Sequence, residues 1–233
     1  MHGGVQELYN QRHSRDWRYR VWRLIQPPSP FLSNPREPLD FPLGRWNLFI
    51  GGAGCRTDGY VNVDLFPGPG VTVAANAERL PFPAGLFMRV ECDAVLEHVR
   101  WPEQVMREIE RVLAPGGYAH IVVPFCHPFH AYPEDFRRFT LDGVKLMAGS
   151  LEVAAEGWRT GPTGTLILFA LEYFKMWLPW RAWRAGVHFA LGWLLAPFRY
   201  LDRLLMRAPR AGQIGNTCYV WLRKPPAPSR SGL

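Results

Sequence analysis

Between Trp46 and Pro124 the chain alternates short apolar runs with polar passages. WNLFI, YVNVD, VTVAA, MRVECDAV and YAHIVVP are rich in β-branched residues, too short for helices, and bounded by glycine, proline or asparagine, so each predicts a strand. PEQVMREIERVLAPGG has a different period: Val105, Ile109, Val112 and Leu113 share one face while Arg107, Glu108, Glu110 and Arg111 fill the other. This predicts a helix that stops at Pro-Gly-Gly. LDGVKLMAG, after Thr140, predicts a further helix, Leu151–Ala155 a strand, and TCYVWL, residues 217–222, a closing strand. Strands alternating with crossovers imply an α/β fold, with a mostly parallel sheet covered by helices.

The flanks differ in pattern. Residues 5–25 mix Tyr, Trp and Leu with many arginines, as in a basic amphipathic helix or arm, and six prolines between Pro27 and Pro42 predict a wrapping linker. The expected division is an arm and linker over 1–44, one domain over 45–223 and a disordered tail over 224–233. Within the domain, residues 162–210 form a helical, apolar and basic insertion before the last strand. There Trp180, Trp183, Val187, Leu191, Leu194, Phe198, Leu201 and Leu205 recur at three- and four-residue steps, with Arg181, Arg184, Arg199, Arg203 and Arg207 between them. Such a stripe reads first as helices packing on their own domain. The competing reading is an interfacial surface on anionic lipid.

Composition changes this picture little. A formal charge of +7 over 233 residues favours an anionic neighbour, and 48% hydrophobic residues suffice for one core. The four cysteines, Cys55, Cys92, Cys126 and Cys218, form no C-x-x-C pair, which fits a reducing cytoplasm and neither a zinc knuckle nor a disulfide framework. The N-terminus has no apolar signal-peptide core. No apolar run approaches the roughly 20 residues that span a bilayer, so the expectation is a cytoplasmic chain with peripheral contact to the inner membrane face.

Candidate chemistry begins at LFIGGAGCRTDGYVNVD, residues 48–64. Gly51, Gly52 and Gly54 stand at one strand exit and Asp64 ends the next strand, where backbone can approach a ligand and a carboxylate can accept ribose hydroxyls. Downstream come AERLPF, VLEHV and VLAPGG in order. These motifs together resemble the class I S-adenosylmethionine-dependent methyltransferases, over roughly residues 46–140. The resemblance implies a Rossmann-like, mostly parallel sheet with helices on both faces, and S-adenosylmethionine as cofactor. It places Gly51, Gly52 and Gly54 under the methionine and ribose, Asp64 on the ribose hydroxyls, and Asn76, Ala77, Glu78 and Leu80 along the adenine. Asp93 to His98 then follow the fourth strand, beside donor and acceptor.

In the family-like segment PFCHPFHAYPEDFRRFT, residues 124–140, His130 and Asp135 are candidate bases or substrate ligands, as is His98 beyond the fourth strand. Arg137 or Arg138 could clamp an anion. Against these stands a bracing role: Asp135 paired with the arginines, Glu97 capping the Pro102 helix. Methyl transfer needs little acid–base work, so no catalytic residue is assigned. Cys126, His127 and His130 lack a fourth ligand, and no metal is expected.

The resulting expectation is a methyltransferase with an unidentified acceptor: a small molecule, a saccharide or a lipid-linked compound, rather than nucleic acid. Asn76 in place of the family's Asp, Met88, and the short passage from Gly54 to Tyr60 motivate a rival, a catalytically degenerate scaffold protein at a membrane surface. An NAD enzyme fits less well, because the spacing around Gly51 is not G-x-G-x-x-G. Oligomeric state is left open.

Overall fold

A computed structural model describes residues 21, 24–52, 56–131 and 133–227. Most of the expected N-terminal arm, Gly54 and the last six residues lie outside the described residues.

Seven strands form one sheet in the order β3-β2-β1-β4-β5-β7-β6. They are β1 (Asn47–Ile50), β2 (Val61–Asp64), β3 (Val73–Ala74), β4 (Phe87–Asp93), β5 (Leu113–Pro124), β6 (Glu152–Trp158) and β7 (Thr217–Arg223). The pairs β1–β2, β2–β3, β1–β4 and β4–β5 are parallel, and β7 runs antiparallel between β5 and β6. This is the α/β architecture the sequence pattern and the resemblance imply.

The helices that follow β4 are α1 (Pro102–Val112), α2 (Leu141–Leu146), α3 (Pro162–Met176), α4 (Arg181–Leu195) and the single turn α5 (Asp202–Leu205). Among the described residues no helix stands between β1 and β4. The α1 helix starts with Pro102 at its first position, where no amide donor is missed, and buries Val105, Met106, Ile109 and Val112. Leu113, expected on the same helical face, instead takes extended geometry and opens β5 opposite Phe87. Gly116, at φ +78°, makes the Ala-Pro-Gly-Gly turn that follows.

Alternation along the central strands divides two clusters. Ile121, Val123, Cys218, Val220 and Leu222 join the larger core with the buried faces of α1 and α2, while Val122, Tyr219 and Trp221 point into a smaller cluster. That second cluster is closed by Phe41 of the proline-rich segment, stacked on Trp221 at 4.2 Å. The segment is tied down by backbone as well: Asn34 N donates to Arg159 O at 2.8 Å, and Ser33 bridges to Thr160. Under it sits a buried ionic group. His120 donates from Nδ1 to Glu91 (2.7 Å) and from Nε2 to Glu37 (2.9 Å), and its ring lies flat on Trp221 at 4.1 Å.

The insertion is tied within itself and to the proline-rich segment. Asp202, fully buried at the start of α5, accepts from Thr163 N (2.8 Å) and Gly164 N (2.9 Å) at the start of α3, and Gly192 of α4 abuts Pro27. The packing first expected of the aromatic stripe is not found. None of its eight residues is buried, and Gly192 is the only buried residue of α4. The reason is geometric: α4 packs against α3, and neither the sheet nor α1 reaches its outer faces.

Candidate active site

Two cavities adjoin at the carboxyl ends of β1, β2 and β4, where ligands of parallel α/β sheets bind. The first is lined by Ile50, Gly51, Val63 to Phe66, Ala75 to Ala77, Ala94, Val95, His98, Val99 and Pro133. The second, of about 320 Å³, is lined by Asp93, Ala94, Glu97, His127, His130 and Arg159, with Phe31 and Ser33 from the proline-rich segment and Asn216 and Thr217 at the start of β7. Ala94 borders both. At φ +54° it is the one non-glycine left-handed residue among those described, a strained backbone of the kind that collects at working sites.

Of the residues expected to hold a cofactor, the first cavity gathers Gly51, Asp64, Asn76 and Ala77. Gly51 has φ +76°, and a Cβ there would stand 2.1 Å from Val95 Cγ2, so only glycine leaves this edge open. The Asp64 carboxylate accepts from Phe66 N at 3.3 Å. Asn76 Oδ1 accepts Glu78 N at 2.9 Å.

Gly52, Glu78, Leu80 and Asp93 are not part of this lining. Glu78 accepts Trp101 N, just before α1, at 3.1 Å, the bracing contact expected of Glu97. Leu80 is buried in the core, its amide held by Glu108 (2.7 Å) and its carbonyl by Arg111 (3.0 Å). The Arg111 guanidinium holds the Glu108 carboxyl below its usual range, against the effect of burial. Asp93 faces the second cavity and pairs with Arg159 Nη1 at 2.6 Å.

The loop after β5 is braced from within. Arg138 grips both Asp135 oxygens at 2.5 and 2.7 Å and donates to the carbonyls of His127 and Pro128, while Asp135 also accepts His130 N at 2.7 Å. The Arg138 hydrogen bond, helped by the His130 amide and opposed by burial, drives the Asp135 carboxyl far below the usual carboxylate range. Arg137 donates to Arg100 O at 2.9 Å. Both arginines are thus bonded within the protein, and Asp135 positions His130.

Glu97, in a one-turn helix over Leu96–His98, has its side chain fully buried, and neither carboxylate oxygen has a hydrogen bond. Sequence reasoning gave it only a capping role, and passed over Arg159 and the Glu37–His120–Glu91 group. Their partners are distant in the chain, and no local spacing signals them.

The donor set fits the cofactor of the family. Apolar walls suit a flat heteroaromatic ring, a carboxylate at the β2 end suits vicinal hydroxyls, and glycine at the β1 exit admits a close approach. Residues 61–121 match the family described as a methyltransferase domain. Among curated proteins it is 33% identical over 88 residues to the ubiquinone/menaquinone biosynthesis C-methyltransferase UbiE of Hahella chejuensis, covering 37% of this chain and 35% of that protein. It is 34% identical over 103 residues to UbiE of Photorhabdus laumondii, covering 39% of each. The chain therefore matches little more than a third of these relatives' length. The crystal structure of the cyclase SpnF shares the fold, with a TM-score of 0.50 at 14% identity over 79% of this chain and 76% of that one. That a cyclase carries this fold means the fold alone does not fix the reaction.

Proposed function

We propose that this chain transfers a methyl group from S-adenosylmethionine to an acceptor held at an anionic membrane surface. The observation that carries the first part is Asp64 at the end of β2, facing an apolar cavity beside the left-handed Gly51. When bound, S-adenosylmethionine supplies a methyl group already activated on a sulfonium. The chain's share is placement: Asp64 accepts hydroxyls, Ala77, Val95 and Val99 exclude water, and Ala94 brings the second cavity against the first. The second cavity is the acceptor side. His130 is oriented there by Asp135, and the Asp93–Arg159 pair presents charge there.

Two observations support the membrane part. The relatives are named for C-methylation in ubiquinone and menaquinone biosynthesis, and the insertion carries an exposed aromatic and basic face.

Calorimetric titration of the full chain with S-adenosylmethionine tests the reading. Losing one charge-accepting contact costs about 1.5–3 kcal/mol, so Asp64→Ala is expected to bind roughly 10- to 100-fold more weakly than the parent chain. Absence of heat with the folded parent would discard the enzyme reading in favour of the scaffold. Labelled methyl transfer into lipid, glycan and small-molecule fractions of an extract, parent against Asp64→Ala, then identifies the acceptor class.

A further inference from the structure

Glu97 presents a problem that its neighbours resolve. A fully buried carboxylate without a hydrogen bond is costly, because no hydrogen bond offsets the desolvation of the charge. Two imidazole nitrogens face it: His98 Nε2 at 3.6 Å and His130 Nε2 at 3.7 Å, both measured to Oε1. These gaps are too wide for hydrogen bonds. They are close to the roughly 3.3 Å that separates two ligands on a tetrahedral ion with bonds of about 2.0–2.1 Å. One donor atom from each of the three residues lies within 4.8 Å of the other two.

The opposite nitrogen of each ring is held as metal-bound histidines require. His98 Nδ1 donates to the Glu134 carbonyl, which can only accept. His130 Nδ1 faces two acceptors, Pro128 O at 3.2 Å and Asp135 Oδ2 at 3.3 Å. Arg138 Nη2, 3.4 Å from the same nitrogen, is already spent on Asp135 and the Pro128 carbonyl. With the proton on Nδ1, each neutral ring turns the lone pair of Nε2 toward Glu97.

We infer that Glu97, His98 and His130 bind one divalent transition-metal ion at the seam between the two cavities. Two imidazoles and one carboxylate select an ion such as Zn²⁺ over Mg²⁺ or Ca²⁺, which prefer all-oxygen shells. Three protein ligands leave a fourth position open, as catalytic sites do, and Glu97 and His130 line the second cavity, so that position takes an oxygen donor entering from there. This set shares only His130 with the cysteine-containing set set aside in the sequence, because the turn after β4, and not Cys126, closes on the loop. The inference stands on these donors and does not depend on methyl transfer.

The test uses the full chain, stripped with a chelator and titrated with Co²⁺ as a coloured substitute for Zn²⁺. The expected result is visible absorption saturating at one ion per chain. Glu97→Gln, which preserves shape, and His130→Gln are each expected to weaken uptake by about 10-fold or more with the circular dichroism unchanged. X-ray absorption of the zinc-loaded parent chain needs no variant. It is expected to show imidazole nitrogen and oxygen at about 2.0–2.1 Å, with no sulfur shell at about 2.3 Å. No uptake by the folded parent chain, a sulfur shell, or undiminished uptake in both folded variants would overturn the site. None of these outcomes bears on S-adenosylmethionine binding, which is read separately.

Discussion

His120 shows most directly what a single residue does here. Burial alone would lower its pKa, but hydrogen bonds to Glu37 and Glu91 outweigh that and hold it above its ordinary value. The imidazolium thereby pins the proline-rich segment, through Glu37, onto β4 and β5. A raised folded-state pKa contributes stability that is fully present below the unfolded value and is lost as pH rises through the folded one. His120→Leu would leave two carboxylates partly uncompensated, a change expected to cost about 3–5 kcal/mol. Urea unfolding of both chains at a series of pH values checks this: the gap between them should be widest in mild acid and narrow as pH rises. A gap that is constant or widens would remove the imidazolium from the account.

At this scale Gly51 and Asp64 were legible, because glycine at one strand exit and an acid at the next are local signals. Glu37 and Glu91 were not, standing 83 and 29 residues from His120. Glu97 was misplaced for a similar reason. Its position before Pro102 suggested a cap, while Glu78 performs that contact from 23 residues away.

Among the elements, strands were easier to read than the connections between them. Apolar runs locate β1, β2, β4 and β7 to within a residue or two, since burial on both faces demands continuous apolar sequence, whereas β5 begins at Leu113 and not at Tyr118. Among the described residues no helix stands between β1 and β4, where the passages after Gly54 are short and rich in glycine and proline.

The α3 helix illustrates what local reading cannot supply. Its N-cap, Gly161, has no side chain to offer, and the first free amides are taken by Asp202, 38 and 39 residues later. The carboxylate also faces the positive end of the helix. Removing an N-cap acceptor costs about 1–2 kcal/mol, so Asp202→Ala should lower thermal stability by that order while Asp202→Asn retains most of it. Amide exchange resolves the cause. Thr163 and Gly164 should exchange faster in the alanine variant, and unchanged rates at both would mean that Asp202 acts only by filling space.

For the whole molecule the insertion raises a question of solvation. Trp177, Trp180 and Trp183 are 68%, 63% and 60% exposed, and Phe169, Phe174, Leu194, Phe198 and Leu204 are exposed with them. An apolar surface of this kind is costly in water and marks a place where something binds. The arginines interleaved with it, at 181, 184, 199, 203 and 207, and the net charge of +7 support the anionic bilayer proposed as its occupant. No described helix is long and apolar enough to cross a membrane, so the contact would lie along the surface.

Each basic residue close to an anionic leaflet is worth about 1 kcal/mol at most, and that attraction decays within a Debye length of roughly 8 Å at physiological salt. The chain should therefore co-sediment with vesicles containing phosphatidylserine or phosphatidylglycerol and not with purely zwitterionic ones, with affinity falling as salt rises. Replacing Trp177, Trp180 and Trp183 together by alanine should weaken binding by about 10-fold or more, because tryptophan anchors at the interface through its amphipathic ring. Failure to sediment at low salt would discard the membrane. Self-association of the vesicle-free chain through the same tryptophans, seen by analytical ultracentrifugation, would assign the face to a second copy instead.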